Sequence, residues 1–130
     1  MELPQFIIID DDPVSNVVCK MTIEKGLKTV TIKTFTNPQE GLLFIKSNYK
    51  PDELKATILF LDINMPVMTG WEFLEHFEDL NDTIKKNIHI YILSSSVDPK
   101  DKERSNLNQY VKGHVIKPLT IEIIKNIVNA

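Results

Sequence analysis

"FIIIDDDPVS", residues 6–15, decides how the rest of the chain is read. Four apolar residues, three of them isoleucine, run straight into three consecutive aspartates and a proline. An apolar run without alternation suits a strand covered on both faces, the habit of parallel sheets. Asp12-Pro13 then reads as a helix start: an N-cap carboxylate followed by a proline at the first helical position, where a missing N–H costs little. Asp10 and Asp11 are left at the strand end as adjacent like charges, with no basic residue before Lys20.

The same grammar recurs along the chain. Further β-branched or apolar runs lie at "VTIKTF" (30–35), "TILFL" (57–61), "IHIYIL" (88–93) and "HVI" (114–116). Helical patterns separate and follow them, which predicts a single α/β domain over residues 1–130: a doubly wound, five-stranded parallel sheet with five helices. Asn37-Pro38 and Asp98-Pro99 repeat the cap-proline start, Asn37 and Glu40 have capping-box-like spacing, and Thr69 with Glu72 forms the standard box. In the first helix Val14, Val17, Val18 and Met21 have the i, i+3, i+4, i+7 spacing of an apolar face, with Gly26 placed to end it. "VTIKTF" alternates and holds Lys33, so the second strand belongs at an edge, outside the first; the first and third belong near the centre.

The chain has 130 residues, 42% hydrophobic and 25% charged, with a net charge of -3. That balance fits a globular domain and argues against a nucleic-acid partner held by bulk charge. Cys19 is the single cysteine, so no internal disulfide forms and a reducing, cytoplasmic setting is expected. No apolar stretch is long enough for a membrane span. His76 and His89 lack nearby His or Cys partners and read as surface or sheet residues rather than zinc ligands.

In an open α/β sheet, ligands bind beyond the carboxyl ends of the strands. There the first strand presents Asp10 and Asp11, the third Asp62, the fourth Ser94, Ser95 and Ser96, and the fifth Lys117-Pro118. Converging carboxylates need a cation, and hard oxygen donors point to Mg²⁺ or a similar ion. A hydroxyl and a lysine opposite can hold phosphate oxygens. Carboxylate nucleophile, divalent metal, hydroxyl and ammonium together make a phosphoryl-transfer site.

The acidic pair after "FIII", "LDINMPVMTG" around Asp62, "ILSSS" and "HVIKP", in that order, make the whole chain resemble a response-regulator receiver domain of two-component signalling. The resemblance implies a flavodoxin-like sheet of order 2-1-3-4-5 and a switch rather than an enzyme. It implies that Asp62 accepts a phosphoryl group from a histidine kinase or phosphotransfer protein. Asp10, Asp11, Asp62 and the backbone carbonyl of Asn64 would hold Mg²⁺ (or Mn²⁺). Ser94 and Lys117 would bind the phosphoryl group, and a cis bond would precede Pro118. The family's aromatic switch position, usually Tyr or Phe, is taken by His114, whose ring is smaller and can titrate near neutral pH. Output is expected through a downstream protein contact, with no direct nucleic-acid or membrane contact, from a monomer or a weak phosphorylation-dependent dimer. The last helix, with Ile121, Ile123, Ile124, Ile127 and Val128 over a wide arc, is expected to divide its apolar surface between core and partner.

Two other readings compete. Asp10-Asp11-Asp12-Pro13-Val14 also matches the D-x-D-x-[TV] signature of haloacid-dehalogenase-type phosphatases, with Asp10 as nucleophile and Asp12 as acid. That fold requires an acidic pair after the lysine, and the only acid downstream of Lys117 is Glu122. A receiver-like module that is never phosphorylated has no physical need for a self-repelling acidic rim.

Overall fold

The computed structural model describes residues 3–52 and 54–130. Five strands, β1 (Gln5–Ile9), β2 (Ile32–Phe35), β3 (Thr57–Leu61), β4 (Ile88–Ser94) and β5 (Val111–Ile116), form one parallel sheet of order β2-β1-β3-β4-β5. The order is the one the family resemblance implies, and it agrees with the strand patterns in placing strand 2 outside strand 1: β1 and β3 are almost wholly buried, while β2 at the edge exposes Lys33 and Thr34.

Helices α1 (Pro13–Gly26) and α6 (Ile121–Val128) cover one face, where Cys19, Ile23 and Ile124 pack on Phe6, Ile8, Ile58 and Phe60. Helices α2 (Pro38–Ser47), α3 (Gly70–Glu78), α4 (Asp82–Asn87) and α5 (Pro99–Leu107) lie on the other, where Ile45, Phe73, Phe77 and Ile84 meet Ile7, Leu59, Leu61 and Ile90. Burial pushes the Cys19 thiol up to about 12, so it packs as a small hydrophobe.

The caps explain where the helices start. Asp12, Asn37 and Asp98 each accept the amide two residues on, with proline at the first turn, and Thr69 and Glu72 close a reciprocal box. Asn37 bonds Gln39 rather than forming a box with Glu40. The described residues hold six helices where five were expected. Asn81 supplies the extra start by accepting the Ile84 amide, and the one-turn α4 that follows buries only Ile84.

Two readings of α1 are corrected. Val14, Val17, Val18 and Met21 are all at least half exposed, and the buried face is Asn16, Cys19 and Ile23. Periodicity identified a helix but not which of two interleaved stripes meets the sheet, since polar Asn16 takes a core position through hydrogen bonds. Gly26 lies within the helix instead of ending it in a left-handed conformation. A Cβ there would stand 3.2 Å from the Ile121 side chain, so its bareness lets α6 approach α1. On α6, Ile124 is fully buried and Ile123, Ile127 and Val128 are half-buried against the same cluster, which leaves Ile121 as the exposed edge.

Candidate functional site

Register brings the acids together. Ile9 pairs with Leu61, so Asp10 and Asp62 follow level strand ends, and the Asp62 amide donates to the Ile9 carbonyl at 3.0 Å. Carboxylate oxygens of Asp10, Asp11 and Asp62 lie within 4.8 Å of one another. Asp12 turns away to cap α1, as its place before Pro13 predicts.

Lys117 reaches this group from the far side of the sheet. Its ammonium donates to Asp10 Oδ2 at 2.6 Å and stands 3.8 Å from Asp62 Oδ2. The peptide bond from Lys117 to Pro118 is cis, and the Lys117 amide donates to the Ser94 carbonyl at 2.9 Å. That bond ties the strand-5 rim to β4.

The two buried carboxylates are unequal. Burial, followed by the charge of Asp10, pushes Asp62 up to about 6, with Lys117 and the Ile63 and Asn64 amides only partly offsetting this. Burial also raises Asp10, but hydrogen bonds from Lys117, Ser15 and the Asp12 amide, with the Lys117 charge, outweigh it and hold Asp10 below the usual carboxylate range. Burial lowers the pKa of Lys117, while its bond to Asp10 and the charges of Asp10, Asp62 and Asp12 raise it further, so it stays cationic. One ammonium thus faces three carboxyl groups, and the excess negative charge suits a divalent cation with oxygen donors.

Ser94 is fully buried, and its Oγ accepts the Ser96 amide at 3.1 Å. Asn64 is exposed two residues beyond Asp62. His114 lies opposite Ile92 on β5, and both its ring nitrogens are buried with no partner among the described residues. Burial holds its pKa below the ordinary value, with Asp101 opposing and Lys102 reinforcing that shift.

Two supporting residues, Asn16 and Gly70, escaped the sequence reading, which places Ser96 at the rim without its partner. Asn16 donates from its side chain to the Asp10 carbonyl at 3.0 Å and the Phe35 carbonyl at 3.3 Å, joining α1 to two strand ends. Its spacing within the helix gave no signal, because a buried Asn looks like a surface Asn in one dimension. Ser96 donates to Asp101 Oδ2 at 2.6 Å and pins the β4–α5 loop to its helix. Gly70 begins α3 against the loop that carries Asp62: a Cβ there would lie 2.6 Å from the Asp62 carbonyl oxygen and 2.9 Å from Ile63 Cα. The glycine in "LDINMPVMTG" is the one visible trace of that contact.

Known proteins give the same picture. The family model for the response regulator receiver domain matches residues 6–129. The probable C4-dicarboxylate response regulator DctR of Halalkalibacterium halodurans is 27% identical over 124 residues, covering 95% of this chain and 49% of its own. The two-component response regulator ARR2 of Arabidopsis thaliana is 28% identical over 122 residues, covering 93% of this chain and 16% of its own. This chain therefore spans about half or less of these relatives. Among solved structures, a response regulator receiver protein from Dyadobacter fermentans superposes with a TM-score of 0.87 at 27% identity, covering 98% of this chain and 96% of the other. A two-component response regulator from Cytophaga hutchinsonii gives 0.83 at 26%, covering 99% and 96%. With its strand order, its acidic strand ends and its full-length match in agreement, this chain belongs to the response regulator receiver domain family.

Proposed function

We propose that this domain is the phosphoacceptor switch of a two-component phosphorelay, with Asp62 as acceptor. The carrying observation is the meeting of Asp10, Asp11 and Asp62 within 4.8 Å, with Lys117 bonded into the group. A carboxylate oxygen of Asp62 attacks phosphorus on a phosphohistidine. The P–O bond forms as the P–N bond breaks, and the imidazole leaves with the electron pair.

Asp10, Asp11, Asp62 and the carbonyl of Asn64 would hold Mg²⁺ or Mn²⁺, which when bound neutralises the acids and the transferring phosphoryl oxygens. Lys117 exchanges its Asp10 bond for a phosphoryl oxygen, and the Ser94 hydroxyl gives up the Ser96 amide to reach another. His114 stands two residues before Ile116, the partner of Ser94 across β4 and β5, and from there its ring would answer that movement. The result is a signalling switch whose only chemistry is its own phosphorylation and dephosphorylation.

The donor is a histidine kinase or phosphotransfer protein, and the output is contact with a downstream protein. The exposed stripe of Val14, Val17, Val18 and Met21, starting one turn from Asp11, supports docking of the donor on α1. Among the described residues no helix is long and apolar enough to cross a membrane. We place the domain in the cytoplasm, as a monomer or a weak phosphorylation-dependent dimer.

The phosphatase reading with Asp10 as nucleophile is disfavoured by Asp10's own bonds. Its Oδ1 accepts the Asp12 amide and its Oδ2 the Lys117 ammonium, and these bonds draw charge from both oxygens and make Asp10 the weaker nucleophile of the two buried carboxylates. The test is incubation with a small phosphodonor and Mg²⁺, then intact mass. One base-labile adduct, lost in Asp62→Asn and on metal removal, is expected. An adduct on Asp10, or steady hydrolysis of phosphate esters, would overturn the proposal.

A further inference from the structure

Helix α5 is held to the sheet by little apolar contact. Of its nine residues only Ser105 is buried, and the Ser105 hydroxyl donates to the Asp101 carbonyl within the helix itself. Leu107, the one large apolar residue of the helix, is 80% exposed. The ties that fix α5 are polar. Ser96 in the β4–α5 loop donates to Asp101 Oδ2 at 2.6 Å, and the Arg104 guanidinium lies 4.6 Å from the centre of the Trp71 ring on α3. An element with so few buried contacts belongs to the low-stability end of a fold and opens before the rest.

His114 stands on the face of β5 that α5 covers. It pairs with Ile92, which packs in the cluster on that face, while its neighbour Val115 packs on the other. Both ring nitrogens are buried, and neither has a hydrogen-bond partner among the described residues. A neutral imidazole carries one donor and one acceptor, and leaving both unmade away from water costs free energy. A protonated ring would bring two donors and a full charge to the same dry place.

The charges around the ring come from one element. On the covered face β4 offers Ile90, Ile92 and the Ser94 hydroxyl, none of which titrates near neutral pH. On β5 itself Lys112 is exposed and Lys117 is bonded to Asp10. From α5, Asp101 favours the protonated ring and Lys102 opposes it, while Arg104 is engaged by Trp71. Burial outweighs Asp101 and keeps the ring neutral at pH 7. A base whose folded pKa is depressed contributes stability that is complete above its ordinary value, here 6.5, and is lost as pH falls below it.

We infer that His114 is a proton-operated latch under α5: neutral, it lies buried beneath the helix; protonated, it swings out to the Asp101 carboxylate, displaces the Ser96 hydroxyl and loosens α5 together with the β4–α5 loop. The Ser96 amide donates to Ser94 Oγ at 3.1 Å, so the release reaches the hydroxyl at the acidic rim. The latch acts in the unphosphorylated chain and stands whether or not Asp62 is the acceptor.

Asp62 also titrates at about 6, so the test uses the full chain carrying Asp62→Asn. Trp71 is the single tryptophan, and its emission reports the Arg104 stack. From about pH 8 to about pH 5, the His114 imidazole resonances, the backbone amides and Trp71 emission are followed together. His114 and Trp71 should change with one midpoint below 6.5, accompanied by amide shifts along α5 and little change in β1 and β3. His114→Phe keeps a ring but binds no proton, and should abolish the Trp71 step. Asp101→Asn still accepts the Ser96 hydroxyl but lacks the charge, and should move the His114 midpoint to lower pH. A Trp71 step that survives His114→Phe overturns the inference, as does a His114 midpoint unmoved by Asp101→Asn. So does a His114 that titrates with no change along α5, or one that stays neutral until the whole chain unfolds.

Discussion

The Lys117 ammonium sits 2.6 Å from Asp10 Oδ2 but 3.8 Å from Asp62 Oδ2, so the one cation that the described residues bring to the acidic cluster is committed to Asp10. Asp62 keeps its desolvation and its repulsion from Asp10 with little relief, and its pKa stands at about 6.

That inequality has a stability consequence with a definite sign. A carboxyl whose folded pKa is above its unfolded value binds protons more tightly when folded. Its stabilisation is therefore complete below the unfolded value of 3.8 and is lost as pH rises through about 6. Ionised Asp62 costs at most about 3 kcal/mol above that window. Asp62→Asn is expected to stabilise the metal-free protein by about 1–3 kcal/mol at pH 8, with the gain shrinking toward pH 5. Urea unfolding of both proteins in chelator at the two pH values measures it, and an equal or lower stability of the variant at pH 8 would contradict the placement of Asp62.

If divalent metal relieves the same repulsion, it should stabilise the folded chain. At a hundred times its dissociation constant, Mg²⁺ should add about 2.7 kcal/mol. The measurement is thermal unfolding with and without Mg²⁺ at matched ionic strength. Asp11→Asn should lose most of the gain, and a Mg²⁺ effect that survives this change would remove Asp11 from the ligand set.

Gly70 holds the Asp62 loop by having no side chain. Gly70→Ala must displace either the Asp62 carbonyl or the start of α3, since the new Cβ would lie 2.6 Å from that oxygen. A loss of about 1–3 kcal/mol is expected, the usual cost of overpacking, together with slower phosphorylation by a small phosphodonor. A variant of unchanged stability and rate would show that the loop and α3 are not held in this contact.

The outward stripe of α1 separates docking from chemistry. Val17, 57% exposed, makes no part of the core. Val17→Lys should slow transfer from a phosphohistidine protein while leaving labelling by a small phosphodonor unchanged. Parallel time courses with the two donors decide it, and equal rates of both before and after substitution would place docking elsewhere.

Much of this architecture was legible in one dimension because the signals were local. Strand burial was written in apolar runs, strand 2's edge position in the alternation around Lys33, and the starts of α1, α2, α3 and α5 in cap residues that act within three positions of themselves. The short α4 shows the limit. Asn81 carries the same kind of cap, but with only one turn to follow, no periodicity could announce it.

By itself, the sequence determined the fold class, the edge position of strand 2 and which residues would stand at the carboxyl ends of the strands, since residue type and spacing act along the chain. Only the tertiary structure decided which face of α1 is buried, that Lys117 bonds Asp10 in preference to Asp62, and that Asn16 and Gly70 brace the rim. Those outcomes depend on distances between residues far apart in the chain. Desolvation and Coulomb interaction respond to separation in space, which no sequence interval encodes.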